Sequence, residues 1–397
     1  MKERKERKIY CMNNIAAVGT SRFRAGYSLI DTPDEAAGIL VRSADMLSMD
    51  FPRELRAIAR AGAGVNNIPI ERCTEQGVVV FNTPGANANA VKELVIAGLL
   101  LASRDIIGGS EWVKANAGDY AIGKDAEKAK KQFAGNEIQG KSLSVLGLGA
   151  VGVLVANAAV ALGMKVYGYD PYLSVRSAWH LSPQVNHVES VEEACALGDY
   201  ISIHVPATDK TRGMIGEAQI AKMRDGVCFL NFARDALVDE EAMARALESG
   251  KVRTYISDFA NPVSVHMKNA VVLPHLGAST LEAEDNCAVM AVDELQDYLD
   301  NGNIAHSVNF PDVNAGVCET EARVAVLHRN IPNMLTQITS FFGSNGLNIE
   351  NLANKARGEY AYTLLDLAHP MPRDTVESLK KINGVIRVRR ISEQKNA

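Results

Sequence analysis

The chain has 397 residues, too many for one hydrophobic core, and reads as two or three domains. Apolar residues make up 47% and charged residues 22%, the balance of an ordinary globular protein, and a net charge of −5 leaves no basic footprint for nucleic acid or a membrane surface. Cys11, Cys73, Cys195, Cys228, Cys287 and Cys318 are scattered, with no C-x-x-C and no histidine at metal spacing, so no metal centre is expected and a reducing, cytoplasmic setting is.

In chain order, the mixed charge run 1–8 reads as a solvated, disordered arm with no export signal after it. Gly38–Val41, Ala57–Ala61 and Val78–Phe81 are expected strands alternating with helical stretches, which implies a small parallel-sheet domain. Asn82-Thr83-Pro84-Gly85 breaks that rhythm, and Ala88–Arg104 reads as a long helix carrying Lys92 in its early turns. The longest apolar run, Leu94–Ala102, falls far short of the ~20 residues that span a bilayer. Gly108–Gly140 looks polar and loop-like.

The motif that organises the chain follows. Ser142–Leu146 is an apolar strand running into Gly147-Leu148-Gly149-Ala150-Val151-Gly152, then a helix from Val153 to Leu162, then a strand Lys165–Tyr169 ending in Asp170. Gly147 permits a tight turn, Gly149 leaves room for a pyrophosphate, and Gly152 lets helix and strand approach closely. The amides of Ala150 and Val151 open the helix, whose N-terminus favours phosphate. Asp170 can accept hydrogen bonds from ribose hydroxyls and would repel a 2′-phosphate, which favours NAD over NADP. Further strands at Tyr200–Val205, Val227–Asn231, Thr254–Ser257 and Val271–Leu273 predict a Rossmann-type doubly wound α/β sheet of five or six parallel strands.

Chemistry-bearing residues cluster just past those strands. Arg234, in Asn231-Phe232-Ala233-Arg234, can grip a carboxylate and polarise the adjacent carbonyl. His275, in Pro274-His275-Leu276-Gly277, can exchange a proton at neutral pH. Asp258 offers an acceptor for a nicotinamide carboxamide. His204, inside a strand run, reads as a packing or cofactor-adjacent residue. Ser279–Glu282 reads as a capping box ahead of a helix Leu281–Asn301. From Gly316 onward the pattern is βαββαβ, too small for a second nucleotide domain. The expected domains are 9–93 with 283–315, then 94–282, then 316–397.

The fingerprint, N-x-A-R, the strand-terminal Asp258 and P-H-x-G-x-S-T occur in the order of the D-2-hydroxyacid dehydrogenase family, which the chain resembles from about residue 9 to 392. The resemblance implies an NAD-binding Rossmann domain, a flavodoxin-like substrate domain and a C-terminal ACT-like regulatory domain. It implies NAD-linked oxidation of 3-phosphoglycerate to 3-phosphohydroxypyruvate, the first step of L-serine biosynthesis, by a homodimer or homotetramer. Arg234 and His275 are then the catalytic pair, and the loop containing Ala63, Gly64 and Asn66 holds the substrate carboxylate. Arg42 and Ser43 match the phosphate-binding position, and Lys92 adds positive charge. His328, Asn330 and Asn348 match residues that hold an L-serine effector. Two other readings are a dehydrogenase of another 2-hydroxy acid, such as 2-hydroxyglutarate, lactate or glycerate, and an NAD-sensing scaffold or corepressor.

Three positions depart from the family pattern. Asn333 replaces the glycine after proline in the effector motif, where its tolerance of left-handed backbone preserves the turn. Asn261 stands where the family places the Glu that pairs with the catalytic His, so His275 relies on other contacts for its orientation. Asp235 stands where a glycine follows the Arg, and is read as an ion-pair partner that aims Arg234.

Overall fold

The computed structural model describes residues 6–392. Most of the expected N-terminal arm therefore lies outside the described residues, but its last two members do not form an arm: Arg7 and Lys8 open strand β1 (Arg7–Cys11), anchored by buried Ile9. The chain divides into two compact units, one running to Ala86 and resuming at Glu284, the other spanning Asn87–Ala283.

In the first unit, β1 is joined by β2 (Tyr27–Ile30), β3 (Gly38–Val41), β4 (Ala57–Arg60) and β5 (Val79–Phe81) in one parallel sheet ordered β2-β1-β3-β4-β5. β3 and β4 are apolar enough to be buried on both faces, as inner parallel strands must be. Neither β1 nor β2 stands out in the sequence, because β1 carries charge and β2 is a half-exposed edge. The order reverses between β1 and β3, and the carboxyl ends there carry Asn13 and Arg42, where ligands bind in open α/β sheets.

The second unit is a doubly wound sheet of seven parallel strands rather than five or six. They are β6 (Ser142–Leu146), β7 (Lys165–Tyr169), β8 (Asn186–His187), β9 (Tyr200–Ile203), β10 (Val227–Asn231), β11 (Val252–Ser257) and β12 (Ala270–Val272), ordered β12-β11-β10-β9-β6-β7-β8. The helix Ala88–Ser103 packs tightly on this sheet: a Cβ on Gly98 would come within 2.9 Å of the Phe232 ring. The stretch expected as loop contains two helices, Ile106–Ala115 and Ile122–Ala129. Gly108 and Gly109 disguise the first, which Asp105 caps by accepting from the Gly108 amide at 2.8 Å. The helix Leu281–Asn301 is capped by Thr280, whose hydroxyl accepts from the Ala283 amide at 3.1 Å, rather than by Ser279.

After that helix the first unit continues with β13 (Ala322–Arg329), β14 (Ile349–Arg357), β15 (Tyr360–Leu367) and β16 (Val385–Ser392), an antiparallel sheet ordered β14-β15-β13-β16, with helices Met334–Ser344 and Arg373–Leu379 completing βαββαβ. Alternation along β13 splits its side chains between two cores. Val324 and Val326 pack with Ile338, Phe342 and Leu379 of the sheet's own helices. Ala325 and Leu327, with Tyr362, Leu364 and Ile391, instead join Ile9, Leu40, Phe81 and Tyr298 in a single core with the N-terminal sheet. Buried Arg323 fastens this junction: it binds Asp366 through Nε at 2.5 Å and Nη2 at 2.9 Å, and donates to the carbonyls of Asn301, Gly316 and Ala315.

Candidate active site

The glycine turn after β6 has the geometry a dinucleotide requires. Gly147 adopts φ +93°, and a Cβ there would sit 2.8 Å from the His204 carbonyl oxygen. A Cβ on Gly152 would lie 1.9 Å from the Gly147 carbonyl oxygen, so only glycine fits either position. Gly149 faces open space, with nothing within 4 Å of where a Cβ would stand. Gly149 also N-caps the helix Ala150–Ala161 without a side-chain cap, which leaves its first amides for an anion. Asp170 is tied to the turn it serves: Oδ2 accepts from the Leu148 amide and Oδ1 from the Tyr172 amide, both at 2.8 Å. The residues present therefore fit a dinucleotide. His204 lines the turn from behind, hydrogen-bonded to Ser202 at 2.8 Å, and burial lowers its imidazole to about 4.

Arg234 and His275 both emerge beyond carboxyl ends of strands in this sheet, after β10 and β12 respectively. Arg234 makes no ion pair among the described residues. Its Nη1 donates to the Ala233 carbonyl at 2.6 Å, and burial lowers its pKa, as expected of a guanidinium awaiting an anion. Asp235 does not aim it. The Asp235 carboxylate instead accepts from Asn261 Nδ2 at 2.8 Å, because the chain turns into a 3₁₀ segment at Asp235 and carries that side chain toward the loop after β11.

His275 has φ +59°, a left-handed conformation uncommon outside glycine. Asp258 holds it there. This fully buried carboxylate, at the end of β11, accepts from the Leu276 amide at 2.7 Å and the Gly277 amide at 2.8 Å. These contacts make Asp258 the clamp of the histidine loop. The imidazole itself has no hydrogen-bond partner among the described residues, and the Phe259 ring meets it edge-on at 5.0 Å. Lys92, in the same unit, lies 3.5 Å from Glu93.

The remaining candidates belong to the first unit. Asn13, absent from the sequence reading, organises the turn after β3: its Oδ1 accepts from the amides of Arg42, Ser43 and Ala44 at 3.1, 3.2 and 2.9 Å. The Arg42 guanidinium is held through Nη2, which donates to Glu284 at 2.6 Å. In register with Val41 at the end of β3, one residue before Arg42, β4 ends at Arg60. The loop after it is fixed by Asn82 Nδ2, which donates to the Ala63 carbonyl at 2.6 Å. The amides of Ala63, Gly64 and Asn66 have no acceptor among the described residues.

The effector candidates are not brought together. His328 and Asn330 sit at one end of the C-terminal sheet, where Asn330 donates to the Gly358 carbonyl at 3.0 Å. His328 is buried, with Nε2 on Thr363 and Nδ1 on the Arg329 carbonyl, each at 2.8 Å. Asn348 precedes β14 at the opposite end, beside Ala368, roughly 20 Å away at strand rise. Asn333 does adopt the left-handed conformation, φ +65°.

Comparison with known proteins extends this picture. Residues 96–277 match the model of the D-isomer specific 2-hydroxyacid dehydrogenase NAD-binding domain. The chain is 30% identical over 337 residues to a D-3-phosphoglycerate dehydrogenase of Haemophilus influenzae, covering 82% of this chain and 78% of that one. The chain belongs to the D-2-hydroxyacid dehydrogenase family. It is 35% identical over 296 residues to the D-3-phosphoglycerate dehydrogenase of Methanocaldococcus jannaschii, covering 72% of this chain. It spans about half the length of that relative, 54%. Among solved structures it resembles the NAD⁺-bound 3-phosphoglycerate dehydrogenase of Entamoeba histolytica, with TM-score 0.61 and 28% identity over 77% of this chain and 99% of that one. As a D-2-hydroxyacid dehydrogenase, the chain carries its arginine and histidine beyond strand ends, with no carboxylate bonded to the histidine among the described residues.

Proposed function

We propose that this protein oxidises D-3-phosphoglycerate to 3-phosphohydroxypyruvate with NAD, the first step of L-serine biosynthesis. The observation that carries the reading is the pair formed by Arg234, a partly buried guanidinium without a counter-charge, and His275, clamped in left-handed backbone by Asp258, both beyond the sheet that bears the glycine turn. The names of the Haemophilus and Methanocaldococcus relatives support the choice of substrate.

Gly147, Gly149, Ala150, Val151, Gly152 and Asp170 hold NAD, which when bound accepts the hydride from C2. Arg234 binds the carboxylate and the C2 oxygen, and the His275 imidazole takes the hydroxyl proton. The free amides of Ala63, Gly64 and Asn66 receive the carboxylate, and Arg42 and Ser43 receive the phosphate, with Lys92 adding positive charge. Residues 94–282 act as the nucleotide domain, 9–93 with 283–315 as the flavodoxin-like substrate domain, and 316–397 as an ACT-like regulatory domain.

We assign the enzyme to the cytoplasm as a homodimer or homotetramer. The helix Ile106–Ala115 supports assembly: none of its residues is buried, and Ile106 and Val113 are each about half exposed. L-serine is the proposed effector. His328 and Asn330 stand a strand's length from Asn348, so the three can serve one ligand only when two copies each contribute an end.

The test is NADH formation from 3-phosphoglycerate, with and without L-serine, in wild type and Arg42→Ala. No NADH from wild type defeats the reading. An unchanged KM in Arg42→Ala defeats the phosphate assignment, and indifference to serine restricts the C-terminal sheet to assembly.

A further inference from the structure

One chain of contacts links the two groups assigned to the reaction. It starts at Arg234, whose backbone is fixed by Asn231: Asn231 Nδ2 donates to the Arg234 carbonyl at 3.0 Å, and its Oδ1 accepts from the Ala233 amide at 3.2 Å. The next residue, Asp235, accepts from Asn261 Nδ2 at 2.8 Å. Asn261 in turn organises the loop after β11. Its Oδ1 accepts from the amides of Val263 at 2.9 Å and Ser264 at 2.7 Å, and its own amide donates to the Ser264 hydroxyl at 3.0 Å. Buried Ser264 reaches the Phe259 carbonyl at 3.3 Å, and the Phe259 amide donates to Ser257 at 3.2 Å. The Phe259 ring then abuts the His275 imidazole.

We propose that Asp235 is a positioning residue which, through Asn261 and Phe259, fixes the His275 imidazole relative to Arg234. The proposal rests on the assignment of Arg234 and His275 to one substrate. Asp258 restrains the backbone beyond His275, and among the described residues no hydrogen bond restrains the ring, whose one aromatic neighbour is the Phe259 edge. A base and a guanidinium that act on one C2 oxygen must share a frame, since a misplacement of about 1 Å costs about 100-fold in rate. The Asp235–Asn261 bond supplies that frame by joining the segment after β10 to the loop after β11. Its acceptor is a carboxylate, which makes it a charge-assisted bond that competes with water although Asp235 is exposed. An asparagine at 235 still presents a carbonyl to Asn261; an alanine presents nothing.

The experiment compares Asp235→Ala, Asp235→Asn, Asn261→Ala and the double alanine variant in steady-state oxidation of 3-phosphoglycerate. Asp235→Ala is expected to lower kcat about 10- to 30-fold with NAD affinity by calorimetry unchanged. Asp235→Asn recovers to within about threefold of wild type, and the double variant loses no more than either single one. A twofold or smaller loss in Asp235→Ala, or losses that multiply in the double variant, overturns the proposal. A second readout needs no turnover, and so separates this proposal from the choice of substrate. In a histidine-labelled NMR spectrum, the His275 ring signal, identified by its loss in His275→Gln, moves in Asp235→Ala and returns in Asp235→Asn. A signal that stays in place in Asp235→Ala overturns the proposal even where wild type proves inactive on 3-phosphoglycerate.

Discussion

Arg42 donates to Glu284 across 2.6 Å, so the residue assigned to the substrate phosphate is held by a carboxylate of its own unit. Both side chains are about 40% exposed, at 41% and 36%, and a pair this open is worth about 0–1 kcal/mol. A dianionic phosphate outcompetes it easily. Glu284→Gln is therefore expected to lower the KM for 3-phosphoglycerate about two- to fivefold at unchanged kcat, since 1 kcal/mol corresponds to a factor of about 5. Initial rates across a substrate series check this, and a raised KM would mean that Glu284 orients Arg42 for the phosphate rather than occupying it.

Asp170 serves the glycine turn as well as a ribose, because its Oδ2 holds the Leu148 amide. Replacement by Ala removes a charged hydrogen bond within the turn and the acceptor for the ligand together. NAD affinity is expected to fall about 10-fold or more, at about 1.5–3 kcal/mol for a hydrogen bond to a charged group. NADP gains little, since the turn that would receive it is loosened. Calorimetric titration with both cofactors is the measurement, and a variant that binds NADP as wild type binds NAD would refute the double role.

Glu240 gives the stability a pH dependence. Tyr255 donates to its Oε1 at 3.0 Å, Oε2 is buried with no hydrogen-bond partner among the described residues, and burial raises the carboxyl from 4.5 to about 7. The folded state thus holds a proton that the unfolded chain releases. Its stabilising contribution is complete below about 4.5 and is lost as pH rises toward 7. Glu240→Gln keeps the Tyr255 acceptor without the charge. Its Tm should exceed that of wild type at pH 8 by about 2–4 °C per kcal/mol of relieved penalty, with the advantage shrinking toward pH 5. Thermal scans at the two pH values decide, and a gap that widens at pH 5 would be the wrong sign.

Arg323 and Asp366 present the opposite case, a buried pair with every guanidinium donor occupied. Removing one member leaves an uncompensated charge, so Asp366→Ala is expected to destabilise the first unit by about 3–5 kcal/mol. Replacing both with apolar residues costs less. Urea unfolding of the single and double variants measures the difference, and equal losses would show that packing rather than charge dominates there.

Legibility in the sequence followed chemistry with a fixed backbone requirement. Gly147 and Gly152 were readable because only glycine fits against the His204 carbonyl and within the turn. Arg234 and His275 were readable because they follow apolar strands. Asn13 and the partnership of Asp235 with Asn261 were not, since each depends on loops that meet only after folding, with 26 residues separating the last pair. The helix Ile106–Ala115 was hidden by its paired glycines and by the absence of any buried residue, and Ile122–Ala129 by its shortness, two turns with a single buried residue at Ala129. Asp258 was seen at the right strand end, but its dominant contacts, to backbone amides 18 and 19 residues on, were not deducible from composition.

The C-terminal sheet lends Leu327, Tyr362, Leu364 and Ile391 to the same core as Ile9, Leu40 and Phe81. A gene truncated before Ala322 would consequently encode an N-terminal sheet with an uncovered oily flank, prone to aggregate. Descendants of this protein cannot discard the terminal segment by a simple stop codon. Change in this segment would have to arise through point substitutions at the sheet's exposed ends, while its inner face stays under selection for solubility of the whole.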